Sequence, residues 1–215
     1  MNFSYAIARV CFRWLFKLLF RWRAYHGERI PATGPVLLVS NHASFMDPPV
    51  VAPGASRLIN FLARDSLFTN FITGPLFRSW QAIPVDREGG GASGINAVLD
   101  RLAAGGMVLL FCEGTRTRDG RLQPARAGVG LVAIRSGAPV VPLRIFGTFE
   151  AWGRHMKLPR CHPIAIKFGH PMHFEALKAE AKTCPKARLK QIYQEVADQA
   201  MAAIAKIEPG PDLSG

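Results

Sequence analysis

A chain of 215 residues with 49% hydrophobic and 20% charged residues holds enough apolar mass for one sizeable core and is too apolar to be disordered. Its four cysteines, Cys11, Cys112, Cys161 and Cys184, form no C-x-x-C pair, which argues against a disulfide framework or a structural zinc site and fits a reducing compartment. The net charge of +12 is concentrated, with +5 in residues 1–40 and +7 in 121–170 against zero in 41–120 and in 171–215.

Residues 3–23, FSYAIARVCFRWLFKLLFRWR, contain five basic side chains, no acidic one and neither proline nor glycine, which predicts a helix. At about 100° per residue, Arg9, Arg13, Lys17, Arg21 and Arg23 share an arc of about 160°, with Ile7, Cys11, Trp14, Leu15, Leu18, Leu19 and Trp22 opposite. A charge every few positions from Arg9 onward argues against a spanning helix, and a secretory signal would need an uninterrupted apolar stretch and a small-residue cleavage site. The composition describes a basic amphipathic helix lying in the interface of an anionic membrane, with Arg9, Arg13, Trp14, Lys17, Leu18, Arg21 and Trp22 as its membrane-binding residues. Packing of the apolar face on the protein's own core is the plainer alternative. Phe16 and Phe20, close to or inside the basic arc, count against it. A transit peptide would be richer in Ser and poorer in aromatics.

Beyond this helix, short apolar runs alternate with helical patterns. Val36-Leu37-Leu38-Val39, Ala82-Ile83-Pro84-Val85, residues 107–112, residues 140–145 and residues 164–168 read as strands, and 93–104, 127–136 and 186–206 as helices. This order predicts an α/β layered domain with a mostly buried central sheet flanked by helices. The expected organisation is an interface helix over 1–27, a domain over 28–207 and a loose tail over 208–215.

Three of the runs end directly in ionisable clusters, and open α/β sheets carry their sites beyond the carboxyl ends of strands. Asn41-His42-Ala43-Ser44-Phe45-Met46-Asp47 offers an imidazole and a carboxylate five residues apart. On a regular helix they would diverge by about 140°, so pairing requires a turn, and Pro48-Pro49 argues against a regular continuation across Asp47. A paired carboxylate would fix the tautomer of His42 and raise its basicity, as a general base needs, although the spacing alone also suits a capped loop. Asp86-Arg87 alone reads equally as a surface ion pair. In Glu113-Gly114-Thr115-Arg116-Thr117-Arg118, glycine beside hydroxyls and two guanidinium groups suits a phosphate or, alternatively, a charged hairpin. His155, His162, His170 and His173 match no standard metal-ligand spacing, so no metal is expected.

In order and spacing these clusters resemble the four blocks of the 1-acylglycerol-3-phosphate acyltransferase (lysophospholipid acyltransferase) family. The family's N-H-x-S-x-x-D block is matched by residues 41–47, and its block ending in Asp-Arg is similar to residues 83–87, with Pro84 where an aromatic or aliphatic residue is frequent. F-P-E-G-T-R-S resembles residues 111–117, with Cys112 for Pro and Thr117 for Ser, and an apolar strand with a central proline resembles residues 140–143.

The resemblance implies acyl transfer from acyl-CoA or acyl carrier protein to a hydroxyl of lysophosphatidic acid, without a resident cofactor. His42 would be the base and Asp47 its orienter, while Arg87, Glu113, Gly114, Thr115 and Arg116 would hold the acceptor. Attack by the acceptor is expected to be direct. Cys112 as a nucleophile is the rival, weakened by its place at the end of an apolar strand. The +7 segment 121–170 would face anionic head groups or an acidic acyl carrier, or simply solvent. Membrane lipids are the expected partners, nucleic acid is not, and the expected place is peripheral or monotopic, on the cytoplasmic face of the inner membrane if the source is bacterial. Two alternatives stand beside this reading. One is another lyso-lipid acceptor such as lyso-ornithine lipid, and the other a non-catalytic basic protein binding membrane or nucleic acid.

Overall fold

Apolar runs bounded by polar residues form the centre of the structure, a computed structural model that describes residues 3–69, 71, 74, 75, 78, 82–85 and 92–210. In chain order its elements are helix α1 (Phe3–Phe20), strands β1 (Arg23–Tyr25) and β2 (Val36–Ser40), helix α2 (Asp47–Val51), strand β3 (Ile59–Arg64), helix α3 (Ser66–Thr69), strand β4 (Ile83–Val85), helix α4 (Ala92–Ala103), strand β5 (Met107–Phe111), helix α5 (Gly128–Ser136), strand β6 (Val140–Phe146), helix α6 (Thr148–Trp152), strand β7 (Ala165–Phe168) and helices α7 (Glu175–Glu180) and α8 (Lys186–Ala205).

One seven-stranded sheet runs in the order β1-β7-β6-β2-β5-β3-β4. All its pairs are parallel except β6 with β7. The expected α/β layering is therefore present, and the five strands expected from the sequence are β2, β4, β5, β6 and β7. Strands β1 and β3 add to them. The first is only three residues long, and the second carries Asn60 in the core, where its amide donates to the Met107 carbonyl oxygen at 3.1 Å instead of contributing an apolar side chain.

Each residue of β2 is buried because both faces of the sheet are covered. Val36 and Leu38 point into a core shared with Phe16, Phe20, Trp22, Val50 and Met107, while Leu37 and Val39 point into a second core with Val98, Leu102, Val129, Ile192 and Val196. Complete burial of such a side chain contributes about 2 kcal/mol. Helices α5 and α8 meet so closely that a Cβ on Gly130 would stand 1.8 Å from the Tyr193 carbonyl oxygen, which is why this position of α5 has no side chain.

Helix α1 corrects the expected orientation. Tyr5, Phe16 and Phe20 are buried against the domain and Phe12 packs beside them, so the two phenylalanines that counted against core packing are what docks the helix. Arg9 also faces inward, donating to the Ala55 carbonyl oxygen at 3.1 Å. The helix ends earlier than residue 23, because Arg21 takes a left-handed φ of 46° and the Trp22 amide donates back to the Phe16 carbonyl oxygen at 3.2 Å. Trp22, expected at the membrane, is instead 2% exposed, with its indole N–H donating to the Val50 carbonyl oxygen at 3.1 Å. Arg23 belongs to the edge strand β1.

The opposite side of α1 is uncovered. Trp14 is 68% and Leu18 82% exposed, Ile7, Val10, Leu15 and Leu19 are also exposed, and Arg13, Lys17 and Arg21 lie in solvent. No described helix is long and apolar enough to cross a membrane. At the other end of the chain, Gly210 lies buried against the Tyr25 ring, so the expected loose tail is packed at least to that residue, and residues 211–215 lie outside the described ones.

Candidate active site

Adjacent parallel strands bring the sequence clusters together. Ser40 of β2 is in register with Phe111 of β5, so residues 41–47 and 112–117 leave the sheet side by side from its carboxyl end. Two hydrogen bonds sew the segments together. The Cys112 amide donates to the Ser40 carbonyl oxygen at 2.9 Å and the Thr117 amide to the His42 carbonyl oxygen at 2.8 Å. Asn41, buried, ties the same end to β6 by donating to the Ile145 carbonyl oxygen at 3.0 Å and accepting from its amide at 2.8 Å.

The turn that a His42–Asp47 pair requires is present, and Asp47 itself stabilises it. Its Oδ2 accepts from the amides of Ala43 at 2.6 Å and Ser44 at 2.8 Å and lies 2.7 Å from His42 Nδ1, with the residue fully buried. A carboxylate offers only acceptors, so Nδ1 carries the proton and Nε2 presents a lone pair. The Phe111 ring stacks on the imidazole, with centroids 3.8 Å apart and planes 13° apart, fixing its orientation from one face. Ser44 anchors the turn from outside by donating to the Trp152 carbonyl oxygen at 2.6 Å.

On the neighbouring loop, Gly114 has a φ of +66°, and a Cβ there would fall 2.8 Å from Arg126 Cδ, so both the backbone and the close side chain call for glycine. Thr115 and Gly114 are exposed, Arg116 is half-buried, and its guanidinium carbon lies 3.4 Å from the centroid of the Phe45 ring. His42, Asp47, Glu113, Gly114, Thr115 and Arg116 thus share one end of the sheet. Arg87 lies outside the described residues, although β4, which leads to it, runs parallel to β3 and β5. Ser44 and Phe111 stand in the matched blocks without a role assigned by the sequence, and Phe45 has none there either. The aromatic inside the H-x4-D block was the visible signal, but its partner is 71 positions away. Of the basic segment 121–170, Arg144 is structural, donating to the carbonyl oxygens of Ala205 and Ile207 at 2.9 Å each.

Burial sets the charge of the floor of the site. Desolvation pushes the Glu113 carboxyl up to about 7, opposed by the backbone amides of Gln123 and His42 and assisted by the negative charges of Asp47 and Asp119. Burial beside Glu113 pushes the Cys112 thiol up to about 12, so at neutral pH it is not a thiolate. Among the described residues no three His, Cys, Asp or Glu side chains gather as a metal-ligand group.

The raised Glu113 pKa makes stability depend on pH. The folded chain keeps a proton that the unfolded chain, with a carboxyl near 4.5, has already released, so this contribution is complete below about 4.5 and is lost as pH rises through about 7. Glu113→Gln is therefore expected to be more stable than the wild type at pH 8 by about 2 kcal/mol and close to it at pH 4.5. Urea unfolding at both values measures the difference, and a difference independent of pH contradicts the shift.

The Acyltransferase family model matches residues 23–146. The chain is 28% identical over 154 residues to a 1-acyl-sn-glycerol-3-phosphate acyltransferase of Bacillus subtilis (strain 168), covering 70% of this chain and 73% of that protein. It is 30% identical over 124 residues to the chloroplastic 1-acyl-sn-glycerol-3-phosphate acyltransferase BAT2 of Brassica napus, covering 56% of this chain but 36% of the plant protein. The crystal structure of the 1-acyl-sn-glycerophosphate (LPA) acyltransferase PlsC from Thermotoga maritima shares the fold, with a TM-score of 0.72 and 20% identity over 96% of this chain and 81% of that one.

Proposed function

The chain belongs to the Acyltransferase family, and from that premise we propose that it moves a fatty acyl group from acyl-CoA or acyl carrier protein to the free hydroxyl of lysophosphatidic acid, giving phosphatidic acid. The observation that carries this reading is the 2.7 Å contact of His42 Nδ1 with the buried Asp47, beside a loop that holds a glycine and a guanidinium. The names of the relatives support the choice of acceptor.

An alcohol attacks a thioester only as its proton leaves. In this reading His42 Nε2 takes that proton while the acceptor oxygen bonds to the thioester carbon, and Asp47 stabilises the imidazolium formed. The C–S bond then breaks and the proton passes from His42 to the departing thiolate. Arg116 and Arg87 neutralise the acceptor phosphate, Glu113 and Gly114 position it, and Thr115 adds a hydroxyl contact. No acyl-enzyme forms, and the neutral, buried thiol of Cys112 supports this direct route. The test is release of free thiol from acyl-CoA and from acyl carrier protein in detergent with lysophosphatidic acid, other lysophospholipids and lyso-ornithine lipid. Release with lysophosphatidic acid at least tenfold above every other acceptor supports the proposal, and no release with any of them removes it.

The uncovered face of α1 supports a peripheral or monotopic place on an anionic membrane, the cytoplasmic face of the inner membrane if the source is bacterial. Arg13, Trp14, Lys17, Leu18 and Arg21 remain as the residues that would meet it. Replacing Trp14 or Leu18 by Ala removes apolar surface that touches little of the domain, so each is expected to weaken binding to phosphatidylglycerol vesicles about tenfold without lowering thermal stability. Sedimentation with vesicles measures this, and unchanged binding of the double variant contradicts it.

A further inference from the structure

Phe45 stands inside the His42–Asp47 turn and is 56% exposed, too open for a side chain that serves only the core. Its ring instead covers one face of the Arg116 guanidinium, whose central carbon lies 3.4 Å from the ring centroid. The ring is held from behind. Trp152 lies 6.0 Å away between centroids, and the Met46 amide donates to Ser44 Oγ at 3.0 Å while Ser44 Oγ donates to the Trp152 carbonyl oxygen at 2.6 Å. Ser44 also forms a β-bridge with Gly153, so the segment carrying Phe45 is tied to the end of α6.

A guanidinium has five N–H groups, all in its plane and none on its faces. A ring stacked on a face therefore takes no donor away, but it fixes the plane in which the donors point and shields the charge from water on that side. A half-buried arginine whose plane is already fixed loses less rotameric freedom when it grips an anion. Because Phe45 belongs to the same five-residue step as His42 and Asp47, the plane of Arg116 is referenced to the base itself.

We propose that Phe45 is a positioning residue for Arg116, holding its guanidinium edge-on to the phosphate of the acceptor at a fixed place relative to His42. The inference rests on the reading of Arg116 as a ligand of that phosphate, and the two fail separately.

Kinetics with a short-chain lysophosphatidic acid below its micelle concentration test it, because such an acceptor makes membrane contact irrelevant. Phe45→Ala is expected to raise the acceptor KM about tenfold with the thioester KM unchanged. Phe45→Leu, which fills space without a π face, is expected to be as poor as Phe45→Ala, while Phe45→Tyr and Phe45→Trp restore the wild-type KM. In an Arg116→Ala background, which itself raises the acceptor KM, Phe45→Ala is expected to add less than twofold. A wild-type KM for Phe45→Leu, or an undiminished effect of Phe45→Ala in the Arg116→Ala background, overturns the inference. A raised KM in Arg116→Ala beside an unchanged one in Phe45→Ala overturns it alone, and an unchanged KM in Arg116→Ala overturns the phosphate reading with it. The exposure of Phe45 keeps these variants folded, which circular dichroism checks.

Discussion

His42→Ala is expected to lower kcat for acyl transfer about 1,000-fold while leaving the fold intact. The imidazole is the group in the cluster with both an orienting carboxylate, at 2.7 Å, and a second nitrogen left to accept a proton. Its removal costs little structure, because the contact that joins its segment to the Thr117 loop is made by the His42 carbonyl oxygen and not by the ring. What is lost is the stacking against Phe111 and the Nδ1 hydrogen bond to Asp47, whose Oδ2 keeps the amides of Ala43 and Ser44. Thiol release with saturating acceptor, measured beside a thermal melt, separates the two effects. A folded His42→Ala that keeps more than a tenth of the wild-type kcat contradicts a base at this position.

Asp47→Ala is expected to damage activity and fold together. Oδ2 serves the imidazole and two backbone amides at once, so alanine leaves the amides of Ala43 and Ser44 buried without that acceptor. Such a loss costs about 2–4 kcal/mol of stability, and with the ring unheld and its positive charge uncompensated kcat is expected to fall about 1,000-fold. Asp47→Asn divides these roles. An amide oxygen can still accept from the backbone, so most of the stability returns, but it carries no charge to stabilise an imidazolium, so kcat stays at least 100-fold down. Urea unfolding with the kinetics of both variants measures the separation. Equal loss of stability in Asn and Ala would mean that the turn depends on the charge of Asp47 and not on its oxygen.

Strands β2 and β5 are announced most plainly because they are covered on both faces. Val36 to Val39 and Met107 to Leu109 read as continuous apolar runs because helices pack above and below them. Strand β3 escapes that reading because Asn60 spends its polarity on a hydrogen bond inside the core, and β1 because three residues with two exposed side chains carry no pattern. Helix α1 shows the limit of periodicity. Angles around a helix are computable, but which side meets the domain depends on what the domain offers. Here the sheet offers a socket for Phe16 and Phe20, beside Trp22, and leaves Trp14 and Leu18 uncovered. The turn at Arg21 is equally hidden, since nothing in an arginine announces a left-handed φ.

Within the site, a His42–Asp47 pair needs a turn, and the turn exists, with Asp47 opening helix α2 and Pro48-Pro49 in its first turn. The convergence of residues 41–47 with 112–117 is expected from apolar strands that end in polar clusters, and strand register supplies the pairing that the order of the motifs does not contain. Contacts across long separations, Phe45 on Arg116 and Asn41 on Ile145, depend on the assembled sheet, so one residue of each pair stands in a legible block while its partner cannot be read from the sequence. The raised Glu113 carboxyl cannot be read from it either, because burial and not the neighbouring residue type produces it.

The central claim, direct transfer of an acyl group to the hydroxyl of a phosphate-bearing lipid, is tested most directly by following a labelled acyl chain. An acyl thioester labelled in its chain is mixed with the protein, with and without lysophosphatidic acid, and the label is located by mass spectrometry in lipid, free acid and intact protein. Free thiol and labelled phosphatidic acid in equal amounts, formed only with the acceptor present, is the expected result. Label on the protein at Cys112, or thiol released at the same rate without acceptor, would contradict it.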